Sequence, residues 1–258
     1  ATEPLDLSDE FDLRGCAYLD GAAHGPLPRR ALEAAQRALD WKRDPTQLDD
    51  RLYFDLPDRV RRAAAPVLGC DPSDIALATG ASHGISLVSQ GLDWRSGDRV
   101  LIPEGEFPAN SLPWLSLRSR GVRVDVVPPE RLLDSIRPGV RVVAVGHVNF
   151  ARGRRLDIEA LGVRAAECEA IFVVDLSQSL GALPVDVRAS GATVAAVAGY
   201  KWLMSPYGTG VTYVHPDWVE RLPVPTFNWT TIVGSDDFNR LADLDPEFRP
   251  GAIRFDVP

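Results

Sequence analysis

Lysine is nearly missing from this sequence. It occurs only at Lys42 and Lys201, so 26 of the 28 basic residues are arginine. The codon usage of a GC-rich genome accounts for such a bias, but the chemical consequence does not depend on its cause. Any reaction that needs a primary side-chain amine has two candidates. Cysteine is scarce too: Cys16, Cys70 and Cys168 are far apart and odd in number. That disfavours a disulfide framework or a zinc site and fits reduced thiols in a cytoplasmic protein. No run of about 18 apolar residues occurs, which excludes an ordinary membrane-spanning helix. The opening ATEPLDLSDEFDL lacks the basic and apolar regions of a signal peptide. Positive charge is in deficit: 28 Lys plus Arg against 36 Asp plus Glu leave a net charge of −8, a poor match for nucleic acid. His24, His83, His147 and His215 show no i,i+4 pairing or short spacing to cysteine, so no metal site is expected.

What is present is ordinary globular material. The 258 residues are 45% hydrophobic and 25% charged, enough for one large domain, with or without a smaller appendage. Residues 1–28 are irregular, broken by Gly21, Gly25, Pro26 and Pro28. The periodicity predicts a helix over 29–43, ended by Asp44-Pro45, and another over 48–69, with Pro57 in its first turn and Gly69 as its stop. Short apolar runs then alternate with helices. IALATG, RVLIPE, VRVDVV, RVVAVGHV, IFVVDL, TVAAVAGY and GVTYVHP read as strands. ASHGISLVSQGL, the Pro-interrupted segment 109–120 and IEALGVRAAECEA read as helices. The pattern predicts an α/β fold, a mostly parallel (mixed) sheet with helices on both faces. Such sheets carry their chemistry at the carboxyl ends of the strands. After about residue 223 the chain is Pro/Asn/Asp-rich, without clear periodicity.

Four strand ends carry residues of chemical interest. Asp175 closes IFVVD, with Gln178 three residues on; it is either a helix-capping carboxylate or a buried anion beside a cation. Lys201 follows VAAVAG between Tyr200 and Trp202 and precedes a Gly-rich turn. It is either a surface lysine or an amine whose burial lowers its pKa and makes it nucleophilic toward a carbonyl. Lys42, in WKRD on a polar helical face, fits the surface role better. TGASHG joins a strand to a helix, where Gly80 and the amides of Ala81 and Ser82 would cradle a phosphate. His83 either caps that helix or touches the ligand. Phe107, in EGEFPANSLPW, either presents a ring at a strand end or sits in the core. A phosphate cradle, an aromatic platform, a buried carboxylate and an amine together describe a site for pyridoxal 5′-phosphate.

At VVDLSQSLGALPVDV and AGYKWLMSPYGTG the chain resembles the class V aminotransferase family of fold-type I PLP-dependent enzymes. That family includes cysteine desulfurases, kynureninase and isopenicillin N epimerase-like proteins. The similarity runs from YLDGAAHGPLP to RFDVP, and the Asp-x-x-Gln and Lys-x-x-x-x-Pro-x-Gly-x-Gly patterns are unbroken. It implies a Schiff base on Lys201, Asp175 at the pyridinium nitrogen and Gln178 at the ring's phenolic oxygen. Ala81, Ser82 and Tyr200 would hold the phosphate, and Phe107 would stack on the ring, where desulfurases carry His and kynureninase-like members Phe. Trp229 matches a residue that reaches the phosphate of the neighbouring subunit, and His24 and Asn149 would lie near the substrate. Ala198 replaces a serine that many relatives use for the phosphate. The resemblance also implies an N-terminal substrate-site segment over 1–30, a PLP-binding large domain over 31–222 and an irregular tail over 223–258. By the same resemblance that tail is expected to lead toward a C-terminal small domain missing from this sequence, as in a fragment or a shortened form. Relatives draw the arginine for the substrate carboxylate from that domain; Arg152, Arg154 and Arg254 are candidates here. The implied activity is aminotransferase-like chemistry on an amino acid or small amine, in a cytoplasmic homodimer. Desulfurase- or kynureninase-like C–S or C–C cleavage, or cofactor binding without turnover in a partner protein, are the alternatives.

Overall fold

A computed structural model of the protein describes residues 7–257. Of the terminal segments set off above, residues 1–6 and Pro258 lie outside the described residues. Helices α1 (Arg29–Arg43) and α2 (Leu52–Leu68) come first. Helix α2 starts at Leu52, later than the predicted residue 48 but still ahead of Pro57, which therefore lies inside it rather than in its first turn. The cause is upstream. Asp49 accepts a hydrogen bond from the Arg51 amide, and the Asp55 amide already donates to the Arg51 carbonyl, so a turn forms ahead of the proline. Gly69, at φ 73°, ends the helix in the left-handed region, where glycine has no Cβ penalty.

The α/β part then runs β1 (Ile75–Ala78), α3 (Ala81–Ser89), β2 (Arg99–Pro103), α4 (Pro108–Ser116), β3 (Arg123–Val127) and α5 (Leu132–Ser135). It continues with β4 (Val142–Gly146), α6 (Ile158–Glu167), β5 (Ile171–Asp175), β6 (Val194–Ala198) and β7 (Gly210–Val214). The seven strands form one sheet in the order β1-β7-β6-β5-β4-β2-β3. All neighbours are parallel except at β7, which runs antiparallel to both β1 and β6. This is the mostly parallel sheet that the alternating pattern predicts.

Both faces of the sheet are covered, which is why its central strands read as unbroken apolar runs. Val142, Ala144, Val173 and Ala196 point to one face, where they meet Ile85 and Val88 of α3 and Trp114 of α4. Val143, Val145, Val174 and Val197 point to the other, against Leu68 of α2, Leu132 of α5 and Leu161 of α6. The register sets the carboxyl ends level: Gly146 lies opposite Asp175, and Asp175 opposite Ala196.

The segment beyond residue 223 forms short 3-10 turns and a bridge between Ile232 and Phe248. It folds back on the α/β layers. Ala252 and Phe255 are buried in the core on the α3 side. Asp256 accepts from the Leu77 amide at 2.7 Å and pairs with Arg61 of α2, both side chains being buried. His83 is tied to this segment through Nε2 and the Phe255 carbonyl, 3.3 Å apart, and does not line the cavity described next. Among the described residues no helix is long and apolar enough to cross a membrane.

Candidate active site

A cavity of about 260 Å³ opens at the carboxyl ends of the strands. It brings together Ala81, Ser82, Phe107, Asp175, Gln178, Tyr200 and Lys201, seven of the residues singled out from widely separated motifs. Each reaches it by a simple route. Asp175 is the last residue of β5, and the start of α3 brings Ala81 and Ser82. Phe107 sits at the N-cap of α4, and Lys201 sits in the loop that turns the chain from β6 back into β7.

The amine and the carboxylate are both buried, with Lys201 7% and Asp175 8% exposed. Asp175 Oδ1 accepts from the Ser177 amide at 2.9 Å, and the Ser177 side chain also hydrogen-bonds the carboxylate. Burial pushes its pKa up, opposed by Ser177 and by the positive charge of Lys201. Burial pushes the Lys201 pKa down, opposed by Asp175. Lys201 Nζ makes no hydrogen bond or ion pair among the described residues; it lies 5.1 Å from the centre of the Phe107 ring and 5.9 Å from that of Tyr200. A desolvated amine without a partner is a nucleophile waiting for an electrophile.

The rest of the lining fits a planar, anionic aromatic ligand. A Cβ built on Gly80 would meet nothing within 4 Å, so the backbone leading into α3 borders open space. No side chain caps that helix, and Ala81 and Ser82 carry first-turn amides that have no partner within the helix. Phe107 offers a ring face, braced edge-on by Phe150 at 5.2 Å. Gln178 donates through Nε2 to the Ala22 carbonyl and accepts at Oε1 from Trp202 Nε1, which leaves one amide hydrogen for a ligand.

The N-terminal segment closes against this loop. Gly25 donates its amide to the Tyr200 carbonyl, and a Cβ there would fall 1.8 Å from the Lys201 carbonyl oxygen, so only glycine permits the approach. His24 packs near Tyr200 and shares a 2.8 Å hydrogen bond with the Tyr207 hydroxyl, just outside the cavity lining. Asn149 lines a second cavity instead, and Trp229 lies in neither of the two; it packs with Tyr53, Phe54 and Phe238. Of the three arginines, Arg154 pairs with Glu130 and Arg254 with Glu220. Arg152 borders the second cavity.

Sequence reasoning overlooked three contributors. Glu106 lines the cavity, accepting from the Gly146 amide at 2.9 Å and from Asn110 Nδ2 at 3.0 Å. Burial raises its pKa, as does the nearby Asp175 to a lesser degree. Its place next to Phe107, with Asn110 four residues on, was the available signal. Ser177, inside DLSQ, holds Asp175, and Phe150 follows Asn149 directly.

His147, one residue past β4, is buried, and desolvation lowers its pKa to about 4, helped by the charge of Arg155. It is neutral in the fold, accepting at Nε2 from Arg155 Nε at 3.2 Å. Between about pH 4 and the ordinary value of 6.5 the unfolded chain binds a proton there that the folded chain does not. Its contribution is therefore complete above 6.5 and lost as pH falls through 4. Urea unfolding across this range should show His147→Gln flattening the pH dependence by up to roughly 3 kcal/mol. An unchanged slope would place the titration elsewhere.

Comparison with known proteins identifies the family and the fold. The family described as "Aminotransferase class-V" matches residues 17–241. A probable cysteine desulfurase of Methanothermobacter thermautotrophicus is 32% identical over 257 residues, covering 93% of this chain and 64% of that protein. A kynureninase of Deinococcus radiodurans is 32% identical over 263 residues, covering 96% and 63%. The chain thus spans less than two thirds of either relative. Among solved structures, an apo cysteine desulfurase from Thermococcus onnurineus superposes with a TM-score of 0.82 at 24% identity, over 98% of this chain and 65% of that one. The cystine C–S lyase C-DES, in complex with cysteine persulfide, gives 0.84 at 23% identity over 95% and 68%. Sheet order, strand-end chemistry and the match over most of the length converge: this chain belongs to the aminotransferase class-V family.

Proposed function

We propose that this chain binds pyridoxal 5′-phosphate through Lys201 and forms the cofactor-binding part of an enzyme acting on an amino acid or small amine. One observation carries the proposal: the Lys201 amine is buried without a partner, in the same cavity as the Asp175 carboxylate, the Phe107 ring and the open start of α3. When bound, the cofactor supplies a ring that withdraws electrons from the carbon bearing the substrate's amino group.

The chain's own residues would do the remaining work. Burial keeps Lys201 Nζ below the usual lysine range, which favours the neutral amine that can attack a carbonyl carbon and later carry a proton. Asp175 would hold a proton at the ring nitrogen through its carboxylate, which the Ser177 amide orients. Phe107 would cover the ring face and exclude water from it. The amides of Ala81 and Ser82, with the Ser82 and Tyr200 hydroxyls, would bind phosphate oxygens; Ala198, which also lines the cavity, has no hydroxyl to add. The names of the two curated relatives and of the C–S lyase structure favour side-chain cleavage over transamination. No cysteine of this chain lines either of the two cavities, and burial pushes the Cys70 thiol up to about 12, so the chemistry assigned to this chain uses no thiolate of its own.

The proposal includes a cytoplasmic homodimer. Helix α1 has no buried residue and leaves Leu32 and Leu39 58% and 63% exposed, an apolar stripe that a second copy would cover. Mixing the protein with PLP should produce a visible chromophore that borohydride bleaches, and the loaded protein should sediment as a dimer. Lys201→Ala should abolish the reducible chromophore. A chromophore that survives this substitution would overturn the assignment.

A further inference from the structure

Two carboxylates line the first cavity, Asp175 and Glu106, and only Asp175 has a task in the chemistry proposed above. We propose that Glu106 is a positioning residue: its carboxylate clamps the loop carrying Phe107 to the end of β4 and so sets the ring face against which the cofactor lies. This rests on the cofactor reading above.

The clamp follows from the order of donors around the carboxylate. The Gly146 amide donates to Glu106 Oε1 at 2.9 Å, and Asn110 Nδ2 donates to Oε2 at 3.0 Å. One side chain thus joins the last residue of β4 to the first turn of α4, and Phe107 is the N-cap between them. Asn110 is fully buried, and its orientation is fixed from behind. Trp114 Nε1, which can only donate, meets Asn110 Oδ1 at 3.4 Å, so Nδ2 must face Glu106. Donors therefore converge on Glu106 from both sides, and the position demands a group that accepts at both oxygens. Glutamine does not satisfy it, because its nitrogen would face either the Gly146 amide or Asn110 Nδ2, donor against donor. This accounts for a carboxylate standing here although Asp175 opposes a second negative charge. The backbone makes room for it: a Cβ built on Gly146 would fall 2.9 Å from Glu106 Oε2. On the other side Gly105, at φ 74°, turns the chain, and its carbonyl accepts from Asn149 Nδ2 at 2.8 Å. With the loop pinned at both ends and Phe150 edge-on, the plane of the Phe107 ring is set before a ligand arrives.

The test reads cofactor geometry through the visible circular dichroism of bound PLP, which an achiral ring acquires only from a fixed, asymmetric setting. Glu106→Gln should keep the borohydride-trapped label on Lys201 at saturating PLP. It should weaken PLP affinity about tenfold and roughly halve the dichroism per bound cofactor. Phe107→Ala should cause losses of the same kind. The two substitutions together should lose little more than Phe107→Ala alone, because Glu106 acts through that ring. Combining Glu106→Gln with Asn110→Asp should restore both readings to within about twofold. The new amide then keeps an oxygen for Gly146 and turns its nitrogen toward the new carboxylate, which also accepts from Trp114. Parent dichroism and affinity in Glu106→Gln, or full additivity with Phe107→Ala, would overturn the proposal. So would a reciprocal pair that unfolds in urea like the parent but recovers neither reading. The clamp is also checked without cofactor: Glu106→Ala should speed hydrogen exchange of the Gly146 amide by roughly tenfold or more, and unchanged exchange would overturn it. A parent protein that protects this amide yet traps no PLP on Lys201 would instead overturn the cofactor reading, leaving the clamp with no ring to set.

Discussion

Replacing Asp175 with asparagine should slow exchange of an amino acid's α-hydrogen with deuterated solvent by roughly 10²- to 10⁴-fold, the range for losing a preorganised charge or a proton-holding group. The substitution keeps the shape of the side chain and an oxygen for the Ser177 amide, which donates to Oδ1 at 2.9 Å. It removes only the negative charge that burial at the end of β5 makes costly to maintain. A neutral amide cannot hold a proton on a ring nitrogen. The effect should fall on turnover rather than on substrate affinity. Without cofactor, the variant should be at least as stable as the parent, since a buried charge with little compensation has gone. Exchange followed by proton NMR, with urea unfolding of the same samples, checks both halves. A rate within threefold of the parent would remove Asp175 from the mechanism.

Asp256→Ala should cost about 3 kcal/mol of folding stability, the low end for breaking a buried ion pair, because Arg61 keeps Asp58 at 2.9 Å. The expected loss is large beside the ~5–15 kcal/mol that holds a typical domain together. Asp256 does two things at once: it accepts from the Leu77 amide in β1 and neutralises an arginine that is 3% exposed in α2. Removing it leaves the guanidinium with only Asp58 and the Ile75 carbonyl and releases the C-terminal segment from the sheet edge. Arg61→Met combined with Asp256→Leu should recover much of the loss, since neither partner then remains buried and charged. Denaturant unfolding of the single and double variants distinguishes the cases. A single variant as stable as the parent would show that the pair does not hold the segment.

The two predictions differ in how visible their residues are in the sequence. Asp175 ends an apolar run that a doubly covered parallel strand must have, so strand and strand-end chemistry can be read together. Lys201 stands out by scarcity, as one of two lysines and the one beside aromatic residues. The order of the strands and the reversal at β7 are long-range facts that periodicity does not carry. Asp256 and Arg61 are 195 residues apart, and only the folded chain brings them together. Glu106 escaped notice because a glutamate in a loop ordinarily signals solvent, whereas here the Gly146 amide and Asn110 draw it inward. The tail escaped for a different reason. Its 3-10 turns have no extended period, and its burial rests on single residues such as Phe255. The second cavity is built from loops after β2, β3 and β4, whose prolines look like turn residues until they form a wall.

Peptide mapping by mass spectrometry, after PLP loading and borohydride reduction, bears most directly on the central claim, because the chain offers only two ε-amino groups. The mass of a reduced phosphopyridoxyl group should appear on the peptide containing Lys201 and be absent from the one containing Lys42. Label on Lys42 alone, or no label on either peptide, would contradict it.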